Sequence, residues 1–484
     1  MSRFLKVLGA VAVINIIARL LGFSREVIIG YQYGTSFQAD SIIAAFTIPN
    51  FIYIVIGGAI TTAFISVYSK LDIAHRDGFV QVIFTGLSLM VGFITILFVV
   101  FPNMWINLFF SGMSKESLDL TTSLFRLMAP ATLFLVLSML FSGLLNMHEE
   151  YRLSSFSTLL FNGFFLVIGV AFTPLMFEYS YGLGALLGSC MMLIFIFFYV
   201  RKRKLVKFRM KLEWNGPVKR FIMLAMPIIF GGATIQFYFI IQRIYASGLE
   251  EGAISALNYA SKMTQFPQAV LMTSVTTVIY PLLAKAVGEK NEKKFISAYK
   301  KGFQMLSIIL LPATFFVFFY AKEIIQFIFE YGSFGTEATN ATYPLLRLLS
   351  LTMFSLALNT YITRFFYAKE NSYLPIVLNI VSVFGVNILI ISLFIDGGGA
   401  LAIASGTVIA TIVNTIMLII AAKIKLDLKL SNFKYIMKLF GYLVISAITL
   451  YCGSRLEFEY AITSLLIGAC VTLLAIIAGM KLVK

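Results

Sequence analysis

The stretch RLLGFSREVIIG, residues 19–30, sets Arg19, Arg25 and Glu26 inside a segment, Val7 to Tyr31, that is otherwise apolar enough to cross a membrane. One charge at a bilayer centre costs about 2.5–3.5 kcal/mol even on the lenient insertion scale, so these side chains must face something other than lipid. Two planar guanidinium forks suit the oxygens of a phosphate. Six residues at about 100° each leave Arg19 and Arg25 roughly 120° apart around a straight helix. Gly22 between them allows a bend, or a close approach to a neighbour, that would turn both toward one cavity. The competing structural reading is an ion pair of Arg25 with Glu26 or Asp40. Asp40 suits orienting an arginine better than touching a ligand. Lys262 is the only charge of ALNYASKMTQFPQAV; it either completes a cationic pocket or snorkels to the interface.

The elements that must hold these residues are membrane helices. The chain of 484 residues is 60% hydrophobic with a mean hydropathy of +0.92. Its apolar runs are long enough to span hydrocarbon, and a spanning run without water must be helical. Fourteen helices are predicted, near 7–32, 38–69, 79–101, 121–146, 153–176, 181–200, 218–246, 253–285, 302–320, 341–367, 372–394, 398–422, 433–452 and 461–480. The basic start and apolar run of the N-terminus look like a signal peptide. With no small-residue cleavage site before Arg19, this segment is read as the first helix.

The net charge of +16 is a topology signal. With the N-terminus inside, the inner segments hold 28 Lys and Arg and the outer loops only Lys115 and Arg455. The positive-inside rule then puts both termini in the cytoplasm and argues against a nucleic-acid partner. Arg126, Arg243, Arg347 and Arg364 receive no role from sequence. Cys190, Cys452 and Cys470 are isolated in apolar helices and read as small buried hydrophobes. His75 and His148 fall in short loops, so no histidine metal site is predicted, and no Walker A motif or cofactor motif is present. The short outer loops argue against a membrane glycan-processing enzyme.

An internal repeat organises the chain. Residues 31–71 and 245–286 each carry a small-residue turn (Gly34, Gly248), a helix interrupted by proline (Pro49, Pro267) and a Thr-Thr pair leading to lysine, TTAFISVYSK and TTVIYPLLAK. The offset is 218 at the prolines and 215 at the threonines. Two six-helix lobes of like orientation follow, with a substrate site between them, as in carriers built from parallel repeats. The expected organisation is an N-lobe at 1–212, a C-lobe at 213–430 and two further helices at 431–484.

These residues resemble the MurJ (MviN) lipid II flippases, within the multidrug, oligosaccharidyl-lipid and polysaccharide exporter superfamily. RLLGFSREVIIGYQYGTSFQADSIIAAFTIPN at 19–50 is similar to the family's opening signature, and GGAITTAFISVYSKL at 57–71 continues it. LEEGAISALNYASKMTQFPQAVL, EIIQFIFEYGSFGTEAT and RFFYAKENSYLPIVLNIVSVFGVN match later motifs in the same order. The resemblance implies an all-α polytopic protein of two lobes plus two C-terminal helices, the last two contributing a groove for a polyprenyl tail. It also implies a cationic cavity for pyrophosphate and sugars, with Arg19, Arg25 and Lys262 as its cations. Glu26, Asp40, Asn50, Tyr53 and Gln265 would support or gate it. Lys262 stands where the family commonly has arginine, Tyr53 where a further arginine is frequent, and Gln265 where an acid is common. Some members bind sodium through carboxylates in the seventh and eleventh helices. Here 221–246 and 372–394 contain none, so no carboxylate sodium site is predicted.

The expected function is therefore a flippase for lipid II, an undecaprenyl-pyrophosphate-linked glycan, in the bacterial inner membrane. Its partners would be membrane lipids and the cell-wall synthesis machinery. The alternatives are another lipid-linked oligosaccharide as cargo, which the loss of a cation at Tyr53 favours, and a cation-coupled multidrug exporter, which would need acidic cavity residues.

Overall fold

Long apolar runs leave backbone amides no partner but their own helix, and helices account for every regular element among the described residues. The computed structural model describes residues 3–371, 373–428, 433–456 and 460–482, so Lys429 and Lys484 of the basic count lie outside it. The chain divides into two units, Met1–Ile29 with Ser36–Ile254, and Gly30–Thr35 with Ser255–Lys484.

In the first unit the helices are α1 (Arg3–Tyr33), α2 (Phe37–Ile52), α3 (Gly58–Tyr68), α4 (Ile73–Val100), α5 (Pro102–Phe110), α6 (Lys115–Met128), α7 (Ala131–Met147), α8 (Tyr151–Met176), α9 (Tyr179–Lys202) and α10 (Gly216–Ala246). The last residues of α1 belong to the second unit. Ser36 caps α2 by accepting a hydrogen bond from the Ala39 amide. Pro49 lies inside α2, and the chain then makes a π-helical turn, Tyr53–Gly57, before α3. Aromatic rings fill the core, among them Phe64, Phe79 and Phe141. Two glycines one turn apart on α9, Gly184 and Gly188, have no room for a Cβ: it would sit 2.6 Å from the Phe165 carbonyl and 2.8 Å from that of Phe161. This small-xxx-small contact brings α8 and α9 together and fixes where Phe161 and Phe165 stand.

The second unit holds α11 (Ala253–Gly288), α12 (Glu292–Phe319), α13 (Ala321–Phe329), α14 (Thr336–Ser350), α15 (Thr352–Ala368), α16 (Tyr373–Ile380), α17 (Ile388–Leu426), α18 (Phe433–Ser454) and α19 (Ala461–Leu482), with a second π-helical turn at Val381–Asn387. Tyr299, Tyr361 and Phe365 pack together at its core, and the Tyr361 hydroxyl donates to the Ala298 carbonyl at 2.8 Å.

Eleven helices among the described residues are long and apolar enough to cross a membrane, or twelve if the bent pair Gly216–Gly231 and Gln236–Ala246 forms one span. The chain is a multi-pass membrane protein. With the bent pair taken as the span expected at 218–246, two features separate twelve from the fourteen expected. The charged first helix is not among the eleven, and the spans expected at 372–394 and 398–422 run together as Tyr373–Leu426. The only break within α17 is at Gly399, whose φ of 47° kinks it. Cys452 and Cys470, expected to be buried, are exposed on their helices.

Candidate functional site

Arg25 and Glu26 form an ion pair of 2.7 Å in the first unit, with side chains 12% and 6% exposed. The structural pairing left open by the sequence is thus made, and it involves Glu26. The guanidinium carbon also lies 4.2 Å from the Phe165 ring centre and 5.8 Å from that of Phe46, and the two rings meet edge to face at 5.2 Å. Cation–π contacts of this kind contribute about 0.5–2 kcal/mol, the more as water is excluded. They fix the plane of the guanidinium without using its N–H groups. Of the nitrogens that carry an arginine's five donors, only Nη2 of Arg25 has a hydrogen-bond partner among the described residues, Glu26 Oε1. A planar fork held on two rings, with donors to spare, is suited to two oxygens of one phosphate.

Arg243 joins this pair. From α10 its Nη1 donates to Thr47 Oγ1 at 3.0 Å, and the charges of Glu26 and Arg25 both act on it. Thr47, buried on α2, donates through its own hydroxyl to the Ile43 carbonyl at 2.7 Å. Two arginines and one glutamate thus stand together within the helices of the first unit. Sequence reading gave Arg243 no role. The signal was present, since Arg243 follows Arg25 by 218 residues, the offset that relates Pro49 to Pro267.

Arg19 lies on the same helix but is exposed, with no ion pair or hydrogen bond among the described residues. Helix α1 is unbroken through Gly22. That glycine serves a close approach instead, since a Cβ there would lie 3.0 Å from Asn162 Oδ1 on α8. Asp40, 4% exposed, accepts a hydrogen bond from the Gly252 amide at 2.8 Å, and so ties α2 to the turn that precedes α11. Asn50 and Tyr53, both half-buried, sit where α2 gives way to the π-helical turn. Such turns recur at functional positions. This one is seated on α7: a Cβ on Gly57 would meet Met139 Cγ at 2.8 Å, and the Thr61 hydroxyl lies 3.0 Å from both the Gly57 and Met139 carbonyls. Lys262 and Gln265 are half-buried on α11, in the second unit.

An all-helical, multi-pass chain with cations held inside its helices is the architecture of a membrane carrier. Among solved structures it is similar to a lipid II flippase MurJ in an inward closed conformation, with a TM-score of 0.85 at 24% identity over 98% of this chain and 99% of that one. It is also similar to an inward-facing multidrug resistance MATE family transporter of the MOP superfamily, with a TM-score of 0.72 at 15% identity over 85% and 94%. At these identities the likeness is one of fold. The family model described as "Lipid II flippase MurJ" matches residues 29–471, and the chain belongs to that family. Its relatives include a "Probable lipid II flippase MurJ" of Treponema pallidum (strain Nichols), 28% identical over 84% of this chain and 79% of that protein. Another of the same description, from Buchnera aphidicola subsp. Acyrthosiphon pisum (strain APS), is 30% identical over 77% and 74%.

Proposed function

We propose that the chain carries lipid II, a polyprenyl-pyrophosphate-linked peptidoglycan precursor, from the inner to the outer leaflet of the bacterial cytoplasmic membrane by alternating access. Both termini lie in the cytoplasm, as the basic segments require. The lobes are the repeats, 1–212 and 213–430, and residues 431–484 supply the groove for the polyprenyl tail. The observation that carries this reading is the Arg25 site: a guanidinium fixed on Phe165 and Phe46 and paired with Glu26 through Nη2, within a chain of the lipid II flippase family.

In this mechanism Arg19, Arg25 and Lys262 take the pyrophosphate, Arg25 through its fork and Lys262 as a point charge. Glu26 holds Arg25 in place, and Asp40 holds the turn at Gly252. Asn50, Tyr53 and Gln265 shape the opening. Capturing the anion neutralises the cations, which lowers the cost of closing the lobes around them. Membrane potential can reset the empty carrier, since one charge moved across 100 mV is worth about 2.3 kcal/mol. Partners would include the enzymes of cell-wall synthesis that make and consume the precursor.

The test is rescue of a bacterium depleted of its own lipid II flippase. The wild type should restore growth and Arg25→Ala should not. Removing Arg25 takes away the ion-pair partner of a buried Glu26, and breaking a buried pair can cost about 3–5 kcal/mol. Arg25→Lys is therefore run alongside, because it keeps the charge and loses the fork. Normal insertion with poor rescue by Arg25→Lys supports bidentate phosphate binding, whereas full rescue by both variants removes Arg25 from the mechanism. Failure of the wild type despite normal insertion shifts the cargo to another lipid-linked glycan. Tyr53, standing where the family often has arginine, favours that second reading.

A further inference from the structure

The basic stretch at the start of α12 divides into two sets of lysines. Glu289 takes Lys294 at 2.6 Å and Lys285 at 3.9 Å, and Glu292 takes Lys369. Lys293, Lys300 and Lys301 have no such partner among the described residues, and they line a cavity of about 650 Å³ between α12 and α19. No lining residue is acidic. Lys293, Ser297, Lys300 and Gln304 follow one another at the three- and four-residue steps of a single helix face, so donors run along one wall as a stripe of roughly 16 Å at 1.5 Å per residue. Met305 and Met480 bring apolar surface to the same cavity.

The cavity is built into the packing of the second unit. Toward the membrane interior α19 closes on α12, where a Cβ on Gly479 would lie 2.8 Å from Ile308 Cγ2. Tyr442 of α18 pins the junction through its hydroxyl, which donates to the Ala475 carbonyl at 3.0 Å. Outward from Met480, α19 presents Ile477, Leu474 and Leu473, all exposed and apolar. A ligand fitting both surfaces has a phosphate for the lysines and acyl chains for α19. Basic pockets between helices at the cytoplasmic surface suit such headgroups, and the anionic leaflet supplies them.

We propose that this pocket binds the phosphate headgroup of an acidic glycerophospholipid of the surrounding bilayer, with the acyl chains lying along α19. The site goes beyond the transport reading and stands whichever glycan is carried. A phosphate could also come from solution, so the test separates the two sources. The full chain is placed in nanodiscs of phosphatidylcholine alone, with phosphatidylglycerol added, or with inorganic phosphate in the buffer, and its thermal unfolding midpoint is read. Phosphatidylglycerol should raise the midpoint by a few degrees and inorganic phosphate should not. A variant with Lys293→Gln, Lys300→Gln and Lys301→Gln together should lose the rise, and one with Lys202→Gln, Lys204→Gln and Lys207→Gln should keep it. An equal rise in both variants, or the same rise with phosphate alone, overturns the proposal. Should the first variant not fold, a photoactivatable phosphatidylglycerol on the unaltered protein decides. Crosslinks concentrated in peptides spanning 293–305 and 473–482 support the site, and their absence from both refutes it.

Discussion

Residues 31–71 and 245–286 share a sequence pattern yet solve different packing problems. In the first copy the turn after α1 belongs to the second unit. Gly34, at φ +58°, brings the backbone so close to the Ser333 carbonyl that a Cβ would lie 2.5 Å from it, and the Ser333 amide donates to the Tyr31 carbonyl at 2.8 Å. In the second copy the turn after α10 belongs to the first unit, where a Cβ on Gly112 would lie 2.5 Å from the Gly248 Cα. Each turn is thus clamped by an interhelical loop of its own unit. The helices that follow diverge. The first is broken at the π-helical turn and seated on α7, while α11 runs unbroken through Pro267, buried in its first turns and largely exposed in its last. A repeat fixes the turn and the hydroxyl pattern; the neighbour decides whether the helix stays regular.

The comparison can be broken first at the clamps. Gly112→Val should be the most damaging change, since overpacking against backbone costs about 1–3 kcal/mol or more, and Gly34→Ala should follow closely because it adds left-handed strain of about 1–2 kcal/mol. Both are read as the unfolding midpoint in detergent. A harmless Gly34→Ala beside a ruinous Gly112→Val would show that the turns are not equivalent. Asp40→Ala should come next, at about 1.5–3 kcal/mol, because a buried hydrogen bond to a charged group is lost. Thr61→Val should cost about 1 kcal/mol, whereas Thr277→Val should cost almost nothing: the exposed Thr277 hydroxyl donates only to the Thr273 carbonyl of its own helix. Equal losses would erase the difference in seating. The smallest effect belongs to Glu289, beyond the end of α11. The hydrogen bond from Lys294, then the lysine charges, hold its carboxyl below the usual carboxylate range. A carboxyl so depressed adds stability above its unfolded pKa and loses it as pH falls through its folded one. Glu289→Gln should therefore be nearly silent at neutral pH, as surface pairs are, and any difference should vanish in acid.

Much of this was legible because membranes impose simple rules. Run length gave the helices, lysine and arginine asymmetry gave an expected orientation, and the offset between Pro49 and Pro267 gave the repeat. What sequence could not supply was set by partners far along the chain. The π-helical turn is seated against Met139 of α7, which no residue of 53–57 announces. Phe165 faces Arg25 because Gly184 and Gly188 on another helix let α8 close in. Arg243 stands 218 residues after Arg25, the offset of the prolines, but only the folded chain shows that it meets Thr47 and lies by Glu26.

The central claim is that Arg25, held by Glu26 and Phe165, grips the pyrophosphate of lipid II during its crossing. The most direct measurement places lipid II in the inner leaflet of proteoliposomes and follows headgroup exposure outside with an added lipid II-binding probe. The account predicts exposure with the wild type, and background exposure with a well-folded Arg25→Lys. Equal exposure with both would contradict it.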